Sequence, residues 1–202
     1  APAADASRLS VERIFATPEF QPARFGGFRW LKDGNSFAKL EPSATVKESM
    51  ELVKYQADTN NREILLSADK LIPKGETKPL SIHGYEWSAD DRRVLIYTNS
   101  VKVRRLNTKG DYWVLEPATG RLTKLGGDAK PSTLMFAKFS PDGTRVGYVR
   151  DNDLYVENID TGKITRLTSN GSPTMINGTS DWVNEEEFNL RDCWRWSPDG
   201  RS

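Results

Sequence analysis

Four short segments of one design recur along the chain. They are Phe28-Arg29-Trp30-Leu31-Lys32-Asp33-Gly34, Tyr85-Glu86-Trp87-Ser88-Ala89-Asp90-Asp91, Ala137-Lys138-Phe139-Ser140-Pro141-Asp142-Gly143 and Trp194-Arg195-Trp196-Ser197-Pro198-Asp199-Gly200. The anchoring aromatics Trp30, Trp87, Phe139 and Trp196 stand 57, 52 and 57 residues apart. A repeat of this period constrains the fold strongly, because one unit cannot bury its apolar face alone and must stack on its neighbours. Pro-Asp-Gly is turn chemistry: Pro presets φ, and Gly supplies positive φ without a steric penalty.

The third unit shows what each repeat contains. Arg145-Val146-Gly147-Tyr148-Val149 reads as a strand, Asp151-Asn152-Asp153 as a hairpin turn and Leu154-Tyr155-Val156-Glu157-Asn158 as the next strand. Asp160-Thr161-Gly162-Lys163 is a second hairpin, and Ile164-Thr165-Arg166-Leu167 closes the unit. With the strand leading into Phe139, this makes four antiparallel strands per repeat, the pattern of a β-propeller blade. The fold expected is all-β: a β-propeller of four-stranded antiparallel blades, about three and a half of them in this chain. The units span about 25–70, 80–126 and 132–168, with an incomplete one from about 180. Helical spacing is confined to Leu9, Val11, Ile14 and Phe15, with Ser7 or Ser10 as the cap.

Propellers close with about four to eight blades. The chain is therefore expected to be the N-terminal part of a longer protein, or to complete its ring with a second chain. Lys plus Arg total 29 against 28 for Asp plus Glu, so charge balance gives no case for nucleic acid or an anionic membrane as partner. No apolar run reaches the roughly eighteen residues of a spanning helix. The single cysteine, Cys193, and the single histidine, His83, exclude an internal disulfide and a Cys- or His-based metal centre. Cys193 is expected to be a small buried or half-buried residue, and His83 a turn residue. The small-residue opening Ala-Pro-Ala-Ala-Asp-Ala reads as what remains after removal of a secretory signal.

Blades are scaffolds, and insertions carry specificity. In the second unit a basic loop from Asn99 to Gly110, with Lys102, Arg104, Arg105 and Lys109, replaces the short turn of the third. Between the third and fourth units lies Asp181-Trp182-Val183-Asn184-Glu185-Glu186-Glu187-Phe188. A Glu triplet on its own fits an exposed acidic turn. Pairing with Arg104 or Arg105 is the alternative, since guanidinium presents a planar fork to carboxylates, and an ammonium with three donors could use the remaining acceptors. Alternate residues of a strand point to opposite faces, whereas helical neighbours lie about 100° apart. Two adjacent carboxylates acting on one ammonium therefore need a short helix or turn.

The Glu motif, the following Arg191-Asp192 and the Trp-Arg-Trp-Ser-Pro-Asp-Gly turn resemble the N-terminal propeller of dipeptidyl peptidase IV-type serine peptidases. So do Leu9 to Phe15, the run from Phe25 to Gly34, and Val101-Lys102-Val103-Arg104-Arg105 followed by Tyr112-Trp113-Val114. Asn184 stands where that family often has Tyr. The resemblance implies release of N-terminal Xaa-Pro or Xaa-Ala dipeptides from peptides with a free N-terminus. Glu186 and Glu187 would bind the substrate α-ammonium, and Arg105 would contact the substrate carbonyl and the glutamates. Glu185, Asp181 and Trp182 would be supporting residues. It also implies a C-terminal α/β-hydrolase domain carrying the Ser-Asp-His triad, a homodimer of the complete protein, a periplasmic or secreted location, and neither cofactor nor metal. No Gly-x-Ser-x-Gly elbow occurs in the 202 residues, so no catalytic residue is expected here and this segment alone should be silent. Two other readings stay open: a non-catalytic interaction propeller or inactive homologue, and a propeller of the periplasmic translocation-accessory type.

Overall fold

The computed structural model describes residues 8–22 and 26–202. The opening six residues, Ser7 as the alternative cap, and Phe25 lie outside the described residues. The first helix, α1 (Val11–Phe15), takes Ser10 as its cap, whose side chain accepts from the Arg13 N–H.

Twelve strands then follow in three four-stranded antiparallel sheets. The first holds β1 (Phe28–Trp30), β2 (Ser36–Pro42), β3 (Met50–Gln56) and β4 (Arg62–Leu66); the second holds β5 (Gly84–Trp87), β6 (Val94–Val103), β7 (Leu106–Glu116) and β8 (Arg121–Lys124). The third holds β9 (Met135–Phe139), β10 (Arg145–Arg150), β11 (Asp153–Asn158) and β12 (Ile164–Arg166). Each is a meander in sequence order, which gives the expected partial propeller. The tight β10–β11 turn uses Asp151 and Asn152 at φ 50° and 64°, the left-handed pair that matches the twist of a hairpin.

The second sheet is covered on both faces. Val94, Ile96 and Leu115 pack with Ala38, Leu52, Leu66 and Leu71 in one core. Leu95, Tyr112 and Val114 turn the other way, into a core with Leu134, Phe139, Val146 and Tyr148. Successive side chains of a strand alternate faces, so double burial explains why β6 begins with an unbroken apolar run.

The repeated turns also join one sheet to the next. In each, the Asp side chain accepts from a nearby hydroxyl: Ser36 to Asp33 at 2.7 Å, Ser88 to Asp90 at 2.7 Å, Ser140 to Asp142 at 2.5 Å and Ser197 to Asp199 at 2.7 Å. Five residues after the turn serine, Arg93 donates to the Gly143 carbonyl at 2.8 Å. Arg145, at the matching place in the third unit, donates to the Gly200 carbonyl at 2.8 Å. The first unit has Ser36 there, and its links to the second include the Lys32–Asp91 ion pair at 3.7 Å and the Tyr85 hydroxyl donating to the Ala38 carbonyl at 3.3 Å.

Three expectations need correction. The basic insertion is not a loop: β6 and β7 run 10 and 11 residues and pair up to Val103↔Leu106, so Arg104 and Arg105 form the tip of a hairpin arm. A bulge between Thr98 and Val101 interrupts the pairing, which lets the arm depart from the blade. The fourth unit begins with no strand. Trp194 and Trp196 instead lie on the third sheet, with their indole N–H groups donating to the carbonyls of Phe136 and Lys138 at 3.1 and 3.2 Å. A strand needs a laddered partner, and none is present for Trp194 to Trp196 among the described residues. Cys193 is exposed rather than buried: it follows the isolated Thr179↔Asp192 bridge, outside any sheet.

Candidate functional site

The acidic motif folds as α2 (Trp182–Phe188). Asp181 is its N-cap and accepts from the backbone N–H of Asn184 at 2.8 Å and from its Nδ2 at 3.1 Å, which, the backbone donor first, holds the Asp181 carboxyl below its usual range. Asn189 ends the helix at φ 49°, a left-handed conformation that asparagine tolerates. The short helix required for two adjacent carboxylates on one ligand is therefore formed.

The arm of the second sheet reaches this helix. Arg104 binds Glu185 at 2.6 Å and Arg105 binds Glu186 at 2.8 Å, so both tip arginines engage the motif, each taking a different glutamate. Glu185 is also paired with Arg191, just beyond the helix. The side chains of Glu185, Glu186 and Arg191 are each 10% exposed, while that of Arg105 is 78% exposed. Arg105 uses its Nε on Glu186, and the guanidinium fork has further donors to offer. Glu187 is exposed and, among the described residues, makes no hydrogen bond or ion pair. Arg104, Glu185 and Arg191 line a small cavity of about 130 Å³. Burial, and then repulsion from Arg104, lowers the pKa of the Arg191 guanidinium.

The sequence-expected set is thus brought together only in part. Glu185, Glu186 and Arg105 meet, Asp181 joins as the helix cap, and Trp182 is half-exposed with no hydrogen bond to the glutamates. Sequence reasoning gave Arg191 no role and Arg104 no partner of its own. The available signal was the count: two adjacent arginines against a row of glutamates. His83 is a surface residue sharing Nδ1 with the Ser100 hydroxyl at 2.7 Å. A cleft of about 680 Å³ lies among the turn and hairpin residues Asp90, Arg93, Glu116, Asp142 and Asp160. It shares no residue with α2 and is a crevice between sheets. Among the described residues, no cluster of three or more His, Cys, Asp or Glu is arranged to hold a metal ion.

Stacked four-stranded meanders, with an arginine-tipped arm laid on a glutamate helix, define a partial β-propeller that carries its polar site on insertions rather than on its blades. The family model for the dipeptidyl peptidase IV N-terminal region matches residues 88–202, and the chain belongs to that family. It is 39% identical over 143 residues to dipeptidyl peptidase 4 of Trichophyton rubrum, covering 70% of this chain and 17% of that protein. Dipeptidyl aminopeptidase B of Saccharomyces cerevisiae is 31% identical over 189 residues, covering 90% of this chain and 22% of the yeast protein. The crystal structure of Porphyromonas gingivalis dipeptidyl peptidase 4 superposes with a TM-score of 0.77 at 23% identity, over 95% of this chain and 26% of that one. The chain spans about a fifth of the length of the curated relatives it matches.

Proposed function

We propose that this chain is the substrate-gating propeller segment of a serine exopeptidase that releases N-terminal Xaa-Pro or Xaa-Ala dipeptides, with Glu186 and Glu187 anchoring the substrate α-ammonium. The observation that carries the reading is the state of the three glutamates. Glu185 is consumed by two arginines, Glu186 by one, and Glu187 is exposed and without an ion pair among the described residues. Adjacent on one helix, Glu186 and Glu187 offer a concentration of negative charge that only one exposed arginine offsets, and a ligand ammonium completes it. Arg105, still rich in donors, is placed to hold a substrate carbonyl. Fixing the ammonium in this way sets a ruler that leaves room for two residues before the scissile bond.

The hydrolase machinery belongs to the rest of the polypeptide in this proposal: an α/β-hydrolase domain with a nucleophilic serine, a homodimeric assembly and a periplasmic or secreted location. Among the described residues no helix is long and apolar enough to cross a membrane. The deciding experiment assays the complete polypeptide on a Gly-Pro amide, free and N-acetylated. Turnover of the free amine with little of the acetylated one is the result expected. Equal rates on both refute ammonium capture, and no turnover of either favours an interaction propeller.

A further inference from the structure

Resting on that reading, we propose that Glu185, gripped by Arg104 and Arg191, is the positioning residue that sets the helix at the angle where Glu186 and Glu187 can act together. Helix α2 lacks a buried face. None of its seven residues is buried, and Trp182, Val183 and Phe188 are 54%, 50% and 72% exposed. A helix of seven residues is far below the roughly 12–15 at which isolated helices become even marginal in water. Hydrophobic burial, the usual source of a helix's placement, is therefore missing.

Caps and a single bridge hold the ends: Asp181 at the N-terminus, Asn189 at the C-terminus and Thr179↔Asp192 behind them. These close the segment on itself, and Asp192 ties its base to β9 through Lys138 at 2.5 Å. The Glu185 carboxylate ties the helix itself to the arm of the second sheet. One oxygen meets Arg104 at 2.6 Å, at the tip of the arm of the second sheet, and the other meets Arg191 on the return segment. Glu185 thus ties the helix both to the arm and to its own return segment, and its side chain is 10% exposed, enough to escape most solvent screening. The Arg105–Glu186 pair cannot do the same, because the Arg105 side chain is 78% exposed.

The test uses the complete polypeptide and compares Glu185→Gln, Arg191→Gln, the double variant and Glu186→Gln. Two quantities are read: kcat/KM on a free Gly-Pro amide, and amide hydrogen exchange in the peptide covering residues 182–188. Loss of one partner of this charge cluster is expected to lower kcat/KM by about tenfold or more, and to speed exchange by a similar factor. The double variant should be little worse than either single one, because the two residues act as a unit. If Glu185→Gln does not fold, Arg191→Lys keeps the charge while losing the fork and should show a smaller loss of the same kind. A drop for Glu186→Gln with none for Glu185→Gln overturns the positioning role and leaves the ammonium anchor standing. No drop for Glu186→Gln removes the anchor instead. Exchange then judges the clamp alone: faster exchange in Glu185→Gln upholds it, and unchanged exchange overturns it.

Discussion

Replacing Glu187 by glutamine is the cleanest perturbation that this geometry offers. Glu187 is exposed and unpaired among the described residues, so its loss strands no neighbouring charge and opens no cavity. Glu186→Gln, by contrast, also releases Arg105 from its 2.8 Å contact and mixes two effects. Two unit charges about 4 Å apart attract by about 4 kcal/mol at an effective dielectric of about 20. Solvent at an exposed residue reduces that, and hydrogen bonds to charged groups contribute about 1.5–3 kcal/mol net. Taking about 2–3 kcal/mol at about 1.36 kcal/mol per decade gives a fall of about 30- to 150-fold in kcat/KM. The measurement is steady-state kinetics of the complete polypeptide on free and N-acetylated Gly-Pro amides. The free substrate should lose that factor and the residual rate on the acetylated one should not change. Thermal unfolding should be unaltered. A loss below about threefold, or an equal loss on both substrates, refutes the ammonium role of Glu187.

Two further perturbations test the packing beneath the site. A Cβ at Gly147 would sit 2.6 Å from Trp194 Cη2 and 3.2 Å from Trp196 Cζ2, so Gly147→Val should push both indoles off the third sheet. A destabilisation of about 1–3 kcal/mol and a red-shifted tryptophan emission are expected, and an unchanged spectrum and urea midpoint would contradict the assigned packing. In the turns, the Ser140 hydroxyl heads the groups that lower the Asp142 carboxyl from 3.8 to about 2. A depressed carboxylate contributes stability above its unfolded pKa and loses it as pH falls through the folded one. Asp142→Asn should therefore lower the melting temperature at neutral pH and narrow its gap to the parent between about pH 4 and pH 2. A gap that stays constant with pH would sink this account.

Much of the scaffold was legible from local chemistry. The Ser-x-Asp turns and the Asp-Asn hairpin of the third unit are each written within a few residues, so a local reading finds them. The β6–β7 arm was misread because charged residues and a two-arginine tip look like a loop, although ladder pairing continues beneath them to Val103↔Leu106. Position Cys193 was misread for a related reason. Cysteine behaves as a small hydrophobe, which suggests burial, but the backbone there runs outside the sheets. The Arg–Glu meeting could be suspected from charge alone, yet the assignment of each arginine to its glutamate could not.

Sequence alone determined the repeat, the four strands of each of the first three units and the family signature, whose resemblance singled out Glu186 and Glu187. These are properties of short windows, where residue type dictates turn, strand or helix directly. Tertiary structure decided which carboxylate stays available. Arg104 and Glu185 lie 81 residues apart, and only stacking of the second sheet on the third, with an arm extended from the second, delivers one arginine to Glu185 and another to Glu186. Charge pairs form between whatever the fold places within a few ångströms, and chain spacing carries no record of that distance.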